Sequence, residues 1–170
     1  MTNHFELFGL APAFALDAGA LDRAFRELQA KVHPDRFAQA GEAERRASMQ
    51  WSTRANEAYR MLKDPVQRAN YLLELHGVDT GFGTNTAMPG EFLARQIELR
   101  EALDEAKEKR DVAALDGMKR DLAASSRALV AELASRIDGA QDYAGAAGAV
   151  RELQFLKRLA EEVDAAYDSE

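Results

Sequence analysis

Apolar residues recur every three or four positions along most of this chain, the spacing of helices that bury one face. In "LDRAFRELQAKV", Leu21, Phe25, Leu28 and Val32 share one side, while Arg23 and Arg26 project from the other. Asp17 is placed to cap this helix. Pro34 ends it near Val32, because the residue before a proline is driven out of the helical region. The pattern resumes in "EAERRASMQWSTRANEAYRMLKD", with Ala47, Trp51, Ala55, Ala58 and Leu62 as one alanine-rich stripe, and Asp64–Pro65 closes it. Large Phe25 and Leu28 opposite small Ala55 and Ala58 predict an antiparallel hairpin whose connection carries "KVHPDRF". Residues 76–90, "HGVDTGFGTNTAMPG", have the glycine, proline and small polar residues of a loop. Beyond them, helical runs at 90–109, 111–138 and 142–167 are separated only by "RD" and "DGAQD", short enough to force antiparallel neighbours. A three-helix bundle is expected, its core built from Phe92, Leu99, Leu103, Leu115, Leu122, Leu129, Leu133, Val150, Leu153, Leu156 and Val163.

No run alternates with period two, so the expected fold is all-α with no sheet. It divides into a hairpin block with accessory helices at 1–75, a linker at 76–90 and the bundle at 91–170. Against 22 basic residues stand 29 acidic ones, a net charge of −7, the wrong sign for sequence-independent binding to nucleic acid or to an anionic membrane. Any basic function must be local. The absence of cysteine excludes disulfides and thiolate metal sites and suits a reducing compartment. "MTNHFELFGL" lacks the basic and apolar stretches of a signal peptide, and no window is long and apolar enough to span a bilayer, so the cytoplasm is the expected location. His4 and His76 lack ligand spacing and read as structural; no metal or cofactor is expected.

The candidate chemistry sits in "KVHPDRF". An ordinary helix connection would explain it, with His33 favourable to the helix dipole and Asp35 as turn former. An acid–base pair of His33 with Asp35 is a second reading, but no nucleophile or oxyanion motif accompanies it. The wider context favours neither. "LDRAFRELQAKVHPDRF" followed by "NEAYRMLKDPVQRANYL" closely resembles a J domain, the module by which co-chaperones stimulate the ATPase of DnaK-type chaperones. That resemblance implies that His33, Pro34 and Asp35 serve ATPase stimulation and that Arg23, Arg26, Lys31 and Arg36 dock on the chaperone. Asp22 and Glu27 depart from the pattern, placing acid where many J domains carry base.

"FELFGL", "YLLELHG" at 71–77 and "FLARQIELREALDEA" at 92–106 extend the resemblance over nearly the whole chain, to the HscB-type co-chaperones of iron–sulfur cluster assembly. No glycine/phenylalanine-rich region, zinc module or β-rich substrate domain follows the J-like block, and the tetracysteine segment of some eukaryotic relatives is missing, so the likeness is to the bacterial form. It implies a non-enzymatic adaptor that binds the scaffold IscU through the bundle and presents it to the chaperone HscA. Independently, Leu93 and Ile97 lie well around their helix from Phe92, Leu99 and Leu103, and Phe155 points away from the centre of its helix's inward arc. These residues either broaden the core, pack on the first block, or form a second face. The resemblance assigns scaffold binding to Leu93, Ala94, Ile97, Glu98, Glu101, Glu105 and Phe155. The alternative is a J-protein serving a general DnaK and other clients, which has no need of that face.

Overall fold

The computed structural model describes residues 2–81 and 90–168, and no strand occurs among them. It forms two compact units, Met1–Leu72 and Leu73–Glu170. In the first, a short α1 (His4–Leu7) precedes α2 (Ala18–Val32), a 3-10 turn (Pro34–Phe37), α3 (Glu42–Lys63) and α4 (Pro65–Leu75), within which the division between units falls. Asp17 caps α2 by accepting the backbone N–H groups of Gly19 and Ala20. Asp64 ends α3 and turns its carboxylate to the N–H of Val66, so that α4 starts directly at Pro65.

The pairing of α2 with α3 can be followed bond by bond. Tyr59 Oη and Lys63 Nζ donate to Asp22 Oδ1 at 2.7 and 2.8 Å, Gln29 Nε2 donates to Asn56 Oδ1 at 2.9 Å, and Ser48 Oγ donates to the Val32 carbonyl at 2.6 Å. Partner numbers fall on α3 as they rise on α2, which makes the hairpin antiparallel. Phe25 stacks on Tyr59 with ring centroids 4.1 Å apart, and Leu21, Ala55, Ala58 and Leu62 are fully buried beneath.

One part of the expected α3 stripe is wrong. Ala47 is exposed and Trp51 keeps 44% of its surface, with Arg54 over its ring, while Ser48 takes the buried position. At that level α3 meets the C-terminal end of α2, whose Val32 offers an open backbone carbonyl rather than an apolar wall, so a hydroxyl fits where a large ring does not.

The second unit is an antiparallel bundle of α5 (Gly90–Glu108), α6 (Val112–Ala134) and α7 (Tyr143–Tyr167). Of the expected core, Phe92, Leu103, Leu115, Leu122, Leu129, Leu133, Val150, Leu153, Leu156 and Val163 are buried; Leu99 is only half-buried. Leu159, Ile137 and the small Ala146, Ala147 and Ala149 complete it, the alanines letting α7 lie close against α6 in the most extensive seam of the unit. The end of α6 widens into a π turn, Ser135–Gly139, closed by the Ala140 N–H on the Ser135 carbonyl at 2.9 Å. Asp142 then caps α7 through the Gly145 N–H; a β-carbon at Gly145 would meet Asp142 Oδ2 at 2.1 Å, so a larger residue there would push the capping carboxylate aside. Within the stretch expected as a linker, residues 82–89 lie outside the described residues. Gly90 already opens α5, and residues 76–81 pack inside this unit: His76 stacks on Tyr143 at 3.7 Å, and Arg151 Nη1 donates to the carbonyl of buried Thr80 at 2.9 Å.

Candidate functional site

His33 ends α2 with extended backbone angles, φ −59° and ψ 132°, as its position before Pro34 requires. The chain then coils into the 3-10 turn, where the Asp35 N–H donates to His33 Nδ1 at 3.2 Å and the Arg36 N–H donates to the His33 carbonyl at 3.0 Å. This local closure holds the turn in one form while leaving its side chains outside: His33 is 52% and Asp35 92% exposed. Their Nδ1 and Oδ2 are 3.6 Å apart, an ion pair only when the imidazole is protonated. The Asp35 carboxylate is thus almost fully open to water rather than desolvated. Arg36 lies exposed on the turn and folds back, donating from Nη1 to the Ala30 carbonyl at 2.9 Å.

Arg23, Arg26 and Lys31 are all exposed on α2, Arg23 and Arg26 on the side away from Leu21, Phe25, Leu28 and Val32 and Lys31 on the flank. Asp22 does not oppose them as a free acid. Lys63, and then Tyr59, hydrogen-bond it and hold its carboxyl below the usual carboxylate range, and the same bond holds the Lys63 ammonium above its usual value. Thus the acid that departs from the J-domain pattern is spent inside the hairpin. Glu27 stays exposed.

On α5, Leu93, Ala94, Ile97, Glu98, Glu101 and Glu105 fall within one arc of about 140° at 100° per residue, opposite the arc of Phe92, Leu103 and Ala106 that enters the core. All six are exposed, Leu93 at 43% and Ile97 at 60%. Glu105 is paired with Lys109, whereas Glu98 and Glu101, with Asp104 and Glu108 in the same arc, are exposed acids outside any ion pair among the described residues. Phe155 differs from the others. It is half-buried in the seam between α7 and α5, edge-on to Phe92 at 5.7 Å and covered by the Arg100 guanidinium, which also pairs with Glu162 at 2.8 Å. Neither Arg100 nor Ser48 stood out in the sequence; a serine inside an apolar stripe was the available signal for the latter.

No group of three or more His, Cys, Asp or Glu side chains that could hold a metal occurs among the described residues, nor is any helix there long and apolar enough to cross a membrane. His4 stacks on Tyr71 at 4.5 Å with Nε2 at 3.2 Å from the Met61 sulfur.

Residues 88–164 match the family described as the HSCB C-terminal oligomerisation domain. The co-chaperone protein HscB homolog of Burkholderia vietnamiensis is 52% identical over 163 residues, 96% of this chain and 93% of that relative. The chain belongs to the HscB co-chaperone family. Its fold agrees: the chaperone HscB of Vibrio cholerae superposes with a TM-score of 0.87 at 38% identity, over 98% of each chain. Human HscB superposes with a TM-score of 0.93 at 27% identity, covering 98% of this chain and 83% of the human one. The protein is therefore an HscB-type J-protein whose relatives are named co-chaperones, and the His33-Pro34-Asp35 tip and the outward face of α5 are placed on an HscB framework.

Proposed function

We propose that this protein is an adaptor between two others: it binds an IscU-type iron–sulfur scaffold on its bundle, residues 91–170, and delivers it to an HscA-type chaperone, whose ATPase its J domain, residues 1–75, stimulates. The observation that carries the reading is the rigid His33-Pro34-Asp35 turn with Asp35 almost wholly exposed, in a chain 52% identical to a named co-chaperone. The exposed cations Arg23, Arg26 and Lys31 steer the J domain toward an acidic patch, and the Asp35 carboxylate supplies a charge-assisted bond to a partner arginine. The ATP chemistry belongs to the chaperone; this chain contributes contacts that favour its hydrolysing state. On α5, Leu93 and Ile97 are the apolar anchors and Glu98 and Glu101 the flanking acids, a combination suited to a partner surface with apolar centre and basic rim. The cluster is cargo carried by the scaffold. A cytoplasmic site of action fits the cysteine-free chain.

The test is steady-state ATPase of an HscA-type chaperone with wild type and with Asp35→Asn, each with and without scaffold. Wild type should stimulate, and more strongly with scaffold present. D35N should lose the stimulation while its stability moves by no more than about 0.5 kcal/mol, as for an ordinary surface change. A folded D35N that stimulates fully refutes the assignment of the tip. Equal stimulation of a general DnaK, with no added effect of scaffold, indicates the broader J-protein instead.

A further inference from the structure

A helix leaves its last four carbonyls without intrahelical donors, and in α2 these belong to Gln29, Ala30, Lys31 and Val32. Three are satisfied in ways that bear on the tip. The Gln29 carbonyl receives the His33 N–H at 2.9 Å. The Ala30 carbonyl would next take the N–H of residue 34, but a proline has none, and the Arg36 guanidinium replaces it at 2.9 Å. The Val32 carbonyl would need the N–H of residue 36, which has turned to His33; its donor is instead Ser48 Oγ, 2.6 Å away on α3. The donors His33 N–H and Arg36 belong to the turn itself and move with it. Ser48 does not. It is 4% exposed and sits in the continuous helix that forms the other half of the hairpin.

The carbonyl it holds belongs to the peptide plane joining Val32 to His33, and the orientation of that plane sets the direction in which the His33-Pro34-Asp35 turn leaves α2. Serine is also a poorer helix former than alanine, so its hydroxyl has to be used for the position to be favourable. We infer that Ser48 is the positioning residue that aims the His33-Pro34-Asp35 tip, so that without its hydroxyl the J domain still docks but no longer stimulates fully. This rests on the functional reading above.

The experiment compares wild type, Ser48→Ala and Ser48→Thr in chaperone ATPase titrations run below each variant's own unfolding midpoint, with amide NMR of the same samples. In S48A the maximal stimulation should fall by about three- to tenfold, the weight of one lost hydrogen bond. The concentration giving half of that maximum, set by the exposed cations, should stay unchanged. Amide signals of His33, Asp35 and Arg36 should shift and exchange faster, and S48T, which keeps the hydroxyl, should restore stimulation toward wild type. An S48A protein that matches wild type at saturation overturns the inference. So does one that reaches full stimulation only at higher concentration, since Ser48 would then serve docking, or one whose shifts spread through the whole unit, since it would then serve general packing. A wild-type chain that stimulates no DnaK-type ATPase overturns the functional reading, and this inference with it.

Discussion

Arg68 is only 9% exposed, and its guanidinium is held by backbone: Nε donates to the Phe14 carbonyl at 2.7 Å, Nη1 donates to the Leu62 carbonyl at 2.6 Å, and the group lies 5.0 Å from the Phe14 ring centre. Leu62 is near the end of α3, where the Val66 N–H that would have served it has gone to Asp64. Arg36 does the same for Ala30 at the end of α2. Each helix ends just before a proline and each is closed by an arginine six residues beyond the carbonyl it serves. The prolines and their helix ends could be read from the sequence; the arginines could not, because which carbonyls lack donors depends on how the turn leaves the helix. A histidine supplies the pH dependence at this scale. Burial is the main cause that lowers the pKa of His4 from the ordinary 6.5, the charge of Arg54 adding to it and that of Glu57 opposing it. Below 6.5 the unfolded chain therefore binds the proton more readily than the folded one. Stability due to neutral His4 should be complete above about 6.5 and be lost as the pH falls through its lowered folded value. Urea midpoints measured across this range should fall toward acid in wild type, and the slope should shrink in His4→Phe, which keeps a ring against Tyr71. An unchanged slope would place the titration elsewhere.

Among the elements, α5 carries two faces on one helix, and the periodicity separated them: Phe92 and Leu103 go inward, Leu93 and Ile97 outward. The period of the apolar residues specifies angles around a helix axis, which is why both sets were legible. Phe155 was not, because whether a residue at the edge of an inward arc is covered depends on the neighbouring helix, here through Phe92 and Arg100. The three residues should accordingly part company on mutation. Leu93→Ala with Ile97→Ala should leave unfolding within about 0.5 kcal/mol of wild type, while weakening scaffold binding more than tenfold, since each side chain is worth roughly 1.5–3 kcal/mol when a partner buries it fully. Phe155→Ala should cost about 1–3 kcal/mol of stability, less than the 3–5 of a fully buried phenylalanine. Chemical denaturation beside calorimetric titration of the scaffold separates the effects; a double variant that is stable and binds normally would exclude this face.

At the level of the whole molecule, each proposed docking surface is built from residues of one unit, the tip and α2 from Met1–Leu72 and the α5 face from Leu73–Glu170. Their physical character differs: exposed cations along α2 with an exposed carboxylate at its tip on one, apolar side chains among acids on the other. Salt should tell them apart. Screening over a Debye length of about 10 Å at 0.1 M should slow chaperone association as ionic strength rises, and Arg26→Glu should slow it further, while scaffold affinity changes less in both cases. Stopped-flow association rates would show this, and an R26E protein with wild-type rates at low salt would mean that another side of α2 docks. The sequence by itself determined the all-helical class, the hairpin with its proline-closed ends, most of the bundle core and the exposure of the His33-Pro34-Asp35 turn, because period, proline and capping residues act through local backbone geometry. Only the tertiary structure decided that Ser48 rather than Ala47 and Trp51 enters the hairpin, that Asp22 is spent on Tyr59 and Lys63, that Phe155 is half-covered, and that residues 76–81 pack on the bundle. Each of these depends on what a second element presents at the point of contact, a carbonyl, a hydroxyl, a cation or a ring, and neither composition nor spacing along one helix encodes that meeting.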